Sequence, residues 1–232
     1  MPPRRRSGRP RPTRRDGGAE LPSTPRIYVL AGVNGGGKSS IGGAAFRASG
    51  ADYYNPDETA RELKATQPGL TWTEVNASAW RIGRALLERA IRERLDFAFE
   101  TTLGGNTIPR LLAEAATSGI EILVWYVGLE SAELHIERVA SRVRRGGHSI
   151  PEETIRQRYE RSRLNLIQLL PSLTILRVYD NSSDAEPEAG GLPIPRLVLH
   201  LEAGRIIGPE DLSQTPGWAK PIVAAALQSS LG

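Results

Sequence analysis

The residues best suited to chemistry in this chain stand side by side. Gly32, Val33, Asn34, Gly35, Gly36, Gly37, Lys38 and Ser39 fit G-x-x-x-x-G-K-[ST], the phosphate-binding P-loop. Glycine admits positive φ and close backbone approach, so the N–H groups along this run can turn inward around an anion. Lys38 would reach the β and γ phosphates as a point charge. The Ser39 hydroxyl would ligate Mg²⁺, and Ser40 opens the helix whose N-terminus faces the phosphates. ATP and Mg²⁺ are the cofactors this pattern implies.

Other candidates lie at intervals downstream. Asp57 follows Asn55-Pro56 just beyond a short strand-like run, Ala51–Tyr54, at the sheet edge where ligands bind in open α/β folds. It could take a proton from a substrate hydroxyl, or simply cap a turn. Glu100 and Thr102 close the run Asp96–Leu103. Glu100 could hold a substrate or orient Mg²⁺ and water, or pair with an arginine. Arg138, Arg142, Arg144 and Arg145 precede Gly146-Gly147, and Arg156, Arg158, Arg161 and Arg163 follow it. A guanidinium closing on a transferring phosphoryl group stabilises its charge. Any single arginine is more simply read as solvating a helix face beside Glu137, Glu152, Glu153 or Glu160. His135, His148 and His200 lack metal-ligand spacing and read as surface or core residues.

These groups need elements to hold them. Ile27–Ala31 is a short apolar strand before the glycine loop, and Ser40–Ala48 suits a helix after it. Glu58–Thr66 is helical up to Pro68-Gly69. Thr73–Arg94 is a longer helix, with Thr73 as N-cap and an apolar stripe through Val75, Ala79, Ile82, Leu86 and Ala90. Pro109–Ser118 is a helix capped by Thr107. Ile120–Val127 is a nearly continuous apolar strand, the pattern of a parallel sheet buried on both faces. Helices over Ser131–Arg145 and Glu152–Leu170 flank the Gly-Gly break, and Leu173–Tyr179 is a fifth strand. Alternating strands and helices give a three-layer α/β fold of the P-loop nucleotide-kinase kind, with a parallel sheet of about five strands. Pro195–Ile207 reads as a hairpin and Pro216–Leu227 as a helix, together an appendage to the domain. The organisation is a tail at 1–25, a kinase-like domain at 26–182 with a lid near 144–158, and a C-terminal appendage at 183–232.

Composition narrows the function. The 232 residues include no cysteine, which excludes disulfides, thiol catalysis and zinc–thiolate sites. No apolar run approaches membrane-spanning length, and the N-terminus lacks a secretory core; both predict a soluble, cytoplasmic protein without a membrane partner. Residues 1–26 hold eight arginines against Asp16 and Glu20, a balance of +6. The whole chain is +4, so the rest sums to −2. The folded part is therefore no basic nucleic-acid binder, and any such contact falls to the Arg/Pro-rich tail, which reads as disordered. The base-reading Asn-Lys-x-Asp of a GTPase is absent, and the strand Ile120–Val127 ends in Gly128 rather than the Asp-Glu of a motor ATPase. A small-molecule kinase with an arginine-bearing lid fits best. A kinase of nucleic-acid ends and a nucleotide-binding regulatory module with a protein partner remain alternatives.

The P-loop, Asn55-Pro56-Asp57, Phe99-Glu100-Thr101-Thr102 and Arg145-Gly146-Gly147-His148 with Arg158-Tyr159 together resemble the zeta toxin family, over about residues 26–182, with the short chromosomal branch the nearest in pattern. The resemblance implies a nucleotide-kinase-like fold that phosphorylates the 3′-hydroxyl of UDP-N-acetylglucosamine with ATP and Mg²⁺, and an antitoxin protein as partner. Carried over by position, it makes Lys38 and Ser39 the phosphate and Mg²⁺ residues and Asp57 the general base. Glu100 and Thr102 fall in the substrate pocket, Arg145 and Arg158 are the charge-neutralising arginines, and Asn181 lies near the adenine. The chain departs from the family in its Val-Asn-Gly-Gly loop, in the segment between Asp57 and Glu100, and in residues 196–228.

Overall fold

A computed structural model describes residues 24–38, 53–183 and 195–230. Among the described residues seven strands form one sheet in the order β2-β3-β1-β4-β5-β6-β7. Five are mutually parallel: β1 (Arg26–Ala31), β2 (Tyr53–Tyr54), β3 (Phe97–Thr101), β4 (Glu121–Gly128) and β5 (Ile175–Asp180). The α-helices among the described residues are α1 (Pro56–Thr66), α2 (Trp72–Glu93), α3 (Thr107–Thr117), α4 (Ala132–Arg144), α5 (Glu152–Leu169) and α6 (Lys220–Ser230). β1 is flanked by β3 and β4, so the strand order reverses beside it and opens a crevice at the carboxyl ends of the strands. The expected P-loop helix at 40–48, the start of the Ala51–Tyr54 run and nearly all of the tail lie outside the described residues.

One face of the sheet carries the main core. Ile27, Val29, Phe99, Val124, Tyr126 and Val178 pack there with Leu87, Leu112, Leu166 and Ile222 from the helices. The other face buries Leu30, Ala98 and Val127 under Tyr28, Tyr53 and Trp125, and burial on both faces accounts for the continuous apolar character of β4.

Two sequence expectations are corrected by local physics. Thr71, not Thr73, caps α2: its hydroxyl accepts from Glu74 N at 3.3 Å while Glu74 Oε2 accepts from Thr71 N at 2.7 Å, a reciprocal capping box. The buried stripe of α2 runs Val75, Ala79, Gly83, Leu87 and Ala90, leaving Ile82 exposed. Gly83 replaces a larger residue because the Tyr54 ring lies against it; a Cβ there would stand 2.5 Å from that ring.

The C-terminal hairpin, β6 (Arg196–Glu202) and β7 (Arg205–Gly208), does not stand apart as an appendage. β6 pairs antiparallel with β5, setting Leu201 opposite Leu176 and Leu199 opposite Val178. Its Leu199 and Leu201, with Ile222 of α6, join the main core, because an edge strand as apolar as β5 needs cover.

Candidate active site

The glycine loop leaves β1 at Gly32, whose φ is +137°. A Cβ there would lie 2.1 Å from the Val127 carbonyl oxygen, so only glycine lets the loop pass so close to β4. Asn34 is buried, and its Oδ1 accepts from Arg158 Nη1 at 2.7 Å. Its carbonyl accepts from His135 Nδ1 at 2.8 Å. Burial pushes the His135 imidazole down from 6.5 to about 4, so the ring is neutral with its proton on Nδ1. Asn181, also buried, donates from Nδ2 to the Gly36 carbonyl at 3.0 Å. The buried Asn181 Oδ1 without a partner fits a loop shaped for a bound nucleotide.

Lys38 closes the loop and is 6% exposed. Its Nζ lies 3.3 Å from the Val33 carbonyl and 3.4 Å from Glu100 Oε1. A buried ammonium must be neutralised, and Glu100 does this. Glu100 is itself fixed: its Oε2 accepts from Tyr53 OH at 2.9 Å and from Asn55 Nδ2 at 3.4 Å. Asn55 is the N-cap of α1, accepting at Oδ1 from Asp57 N at 2.9 Å and Glu58 N at 3.3 Å. That cap aims Asp57 from the first turn of α1, where Asp57 Oδ2 meets Arg142 Nη1 at 3.4 Å. Asp57 is thus a helix residue rather than a turn cap; Asn55 does the capping.

Lys38, Asp57, Glu100, Thr102 and Arg158 line one cleft of about 570 Å³. Arg158 packs its Cγ against Gly104. Burial draws its guanidinium pKa down, and the nearby Asp57 charge opposes that. The loop after β3 is tied in place where Asn165 Nδ2 donates to the carbonyls of Leu103 at 2.6 Å and Gly105 at 3.0 Å. This holds Leu103 at φ +51°, a conformation an isolated leucine avoids.

Arg145 does not enter the cleft. It is exposed and turns back on its own helix, donating to Ser141 O at 3.4 Å and Ser141 Oγ at 3.1 Å. Arg142, one turn earlier, is the α4 arginine that reaches Asp57. Asn181 sits under the glycine loop, bonded to Gly36. Ser39 and Ser40 lie outside the described residues. No group of three or more His, Cys, Asp or Glu among the described residues is placed to hold a metal by itself. A Mg²⁺ carried on nucleotide phosphates needs only one or two protein oxygens.

The far wall of the cleft comes from residues not singled out in the sequence. Trp72, Asn76, Trp80 and Arg84 of α2 line it. Trp72 and Trp80 are 38% and 44% exposed. The Trp72 ring stacks on His148 with centroids 5.2 Å apart, and Arg84 stands over Trp80 at 5.9 Å. Successive four-residue steps were the available signal: they set these side chains along one flank of α2, beside its buried stripe. Tyr53 and His135 likewise emerge only from the fold.

A parallel sheet, a glycine cradle ending in a buried lysine and a carboxylate across the crevice define a P-loop protein of the nucleotide-kinase kind. Residues 14–186 match the zeta toxin family, and the chain belongs to it. An uncharacterised protein of Haemophilus influenzae is 30% identical over 135 residues, which span 58% of this chain and 92% of that protein. The complex of AvrRxo1-ORF1 and -ORF2 with ATP aligns at 14% identity and a TM-score of 0.62, over 88% of this chain and 64% of that one. The PezAT chromosomal toxin–antitoxin system of Streptococcus pneumoniae aligns at 14% identity and a TM-score of 0.49, over 93% and 91%. The likeness to the AvrRxo1 complex, at 14% identity, concerns the fold alone. No helix among the described residues is long and apolar enough to cross a membrane.

Proposed function

We propose that this protein transfers the γ-phosphate of ATP to a hydroxyl of a nucleotide sugar, with UDP-N-acetylglucosamine the first acceptor to test. One observation carries the reading: the buried lysine of the glycine loop, the Asp57 carboxylate and an exposed indole wall face the same cleft. The loop amides and Lys38 take the phosphates. Asp57 receives the acceptor proton as the hydroxyl attacks. Arg158, fixed on Asn34, spreads the developing negative charge. Glu100 and Thr102 hold the acceptor near Asp57, and Trp72 and Trp80 offer faces for a base or sugar ring. Mg²⁺, held by Ser39 and the nucleotide, would neutralise phosphate charge. A protein antitoxin belongs to the same proposal, as does action in the cytoplasm.

The test is transfer from γ-labelled ATP to a panel of nucleotide sugars, free sugars, nucleosides and nucleic-acid ends, with Lys38→Ala as control. One labelled nucleotide sugar, lost in the variant, is the expected result. A chain that binds ATP but labels nothing would overturn the proposal and favour a regulatory module. Labelled nucleic-acid ends would replace the acceptor.

A further inference from the structure

Trp218 lies outside the span that matches the family, residues 14–186, yet its contacts lead to the glycine loop. It occupies a short 3-10 turn, Gly217–Ala219, before α6, and is 4% exposed. Its indole covers Gly128, the last residue of β4, where a Cβ would stand 2.3 Å from the ring. Two lines of contact run from this residue to the glycine loop.

In the first, Trp218 Nε1 donates to Asp180 Oδ1 at 3.1 Å. The same oxygen accepts from Ser182 N at 3.2 Å, which fixes the turn carrying Asn181. Asn181 N donates to Gly128 O at 3.0 Å, and its side chain donates to Gly36 O. In the second, the Trp218 carbonyl accepts from Arg163 Nη1 at 3.3 Å. The Arg163 guanidinium lies 4.2 Å over the Tyr159 ring, and Tyr159 meets His135 edge-on at 5.7 Å. His135 then donates to the Asn34 carbonyl.

Both lines end on carbonyls of the glycine loop. A trans peptide is planar, with its C=O and the next N–H pointing in opposite directions. Holding the Asn34 and Gly36 carbonyls from outside therefore aims the N–H groups of Gly35 and Gly37 inward, where a phosphate needs them. We propose that Trp218 is a positioning residue for the nucleotide site. Through Asp180–Asn181 and through Arg163–Tyr159–His135 it orients the two loop amides that would receive phosphate. The proposal rests on the P-loop reading and is independent of the acceptor.

The decisive variant is Trp218→Phe in the full chain, which keeps a ring over Gly128 and removes the Nε1 donor. The Kd of a non-hydrolysable ATP analogue should rise roughly three- to tenfold. Asn181→Ala should do the same, and the double variant should exceed neither by much, because both break one line. Amide exchange of Gly37 without nucleotide should quicken in both single variants, while exchange of Gly35, held by the line that both substitutions leave intact, and of β1 and β4 stays slow. An unchanged Kd with only a lower Tm, or effects of the two substitutions that simply add, would overturn the proposal. A wild-type chain that binds no analogue would defeat the nucleotide reading itself, and the exchange of Gly37 against Gly35 would then decide the brace alone.

Discussion

At the nucleotide end of the cleft Asn34, Lys38 and Asn181 are each less than 10% exposed, and each is tied to another segment of the chain. At the end where the acceptor is proposed to bind, Trp72 and Trp80 stand 38% and 44% exposed on a single helix, and the ring contact of Trp72 is to one loop histidine. The first end uses backbone groups whose direction must be fixed before an anion arrives, so each buried polar atom needs a partner. The second uses side-chain faces, which need area and access rather than fixed direction. A kinase that discriminates among acceptors while always taking ATP can vary the second without disturbing the first.

Asp57 sits where the two ends meet, and its loss should break the comparison most sharply. Asp57→Asn keeps size and the helix cap but cannot take the acceptor proton. Transfer should fall by about 10²- to 10⁴-fold with the Kd for ATP unchanged. Retained transfer, measured with γ-labelled ATP, would sink the base assignment.

The nucleotide end should also show its bracing as a pH effect on stability. His135 is neutral when folded, with its imidazole pushed by burial to about 4, against an ordinary 6.5. The unfolded chain takes up the proton first, so this contribution is complete above pH 6.5. It is lost as pH falls towards 4, by at most about 3 kcal/mol. His148 is drawn down too, burial being the largest cause, so it weakens the fold in the same direction. Urea unfolding of the wild type and His135→Gln between pH 4.5 and 7.5 separates them: the variant should show a flatter slope. Parallel slopes would place the acid sensitivity elsewhere.

The same division explains what could be read from the sequence. The P-loop was legible because glycines and a lysine at fixed spacing record a backbone shape directly. The place of Asp57, Glu100 and Thr102 in the cleft was legible because they lie at or just beyond the carboxyl ends of strands that must share one edge. Tyr53 and His135 were not, since each acts on a partner, Glu100 at 47 residues' separation and Asn34 at 101, that only the folded sheet brings near. The hairpin read as an appendage because its pairing with β5 leaves no trace in local periodicity. The indole wall was not legible: the sequence pattern starts the helix at Thr73, after Trp72, and Trp80 falls beside the apolar stripe, so the apolar pattern does not join the two into one exposed flank.

That wall gives a smaller prediction. Trp80→Ala should raise the acceptor KM about tenfold, within the roughly 1–3 kcal/mol typical of a base stacked on an aromatic ring, and leave the Kd for ATP unchanged. An acceptor KM that does not move would show that the ring of the acceptor binds elsewhere in the cleft.

The smallest effect separates two arginines three residues apart on α4 and its C-cap. Arg142 reaches Asp57 at 3.4 Å, whereas Arg145 bonds only within its own helical turn. Exposed arginines held by neutral groups contribute little. With α4 as it stands, Arg145→Ala should leave transfer within about twofold of wild type, while Arg142→Ala, which unpins Asp57, should cost about tenfold in kcat. The family resemblance assigns Arg145 to the transferring phosphate, which would require the end of α4 to turn through the Gly146-Gly147 joint and swing the guanidinium inward. A tenfold or larger loss in Arg145→Ala, with ATP binding intact, would demonstrate that movement, because nothing Arg145 touches in the present arrangement could produce it.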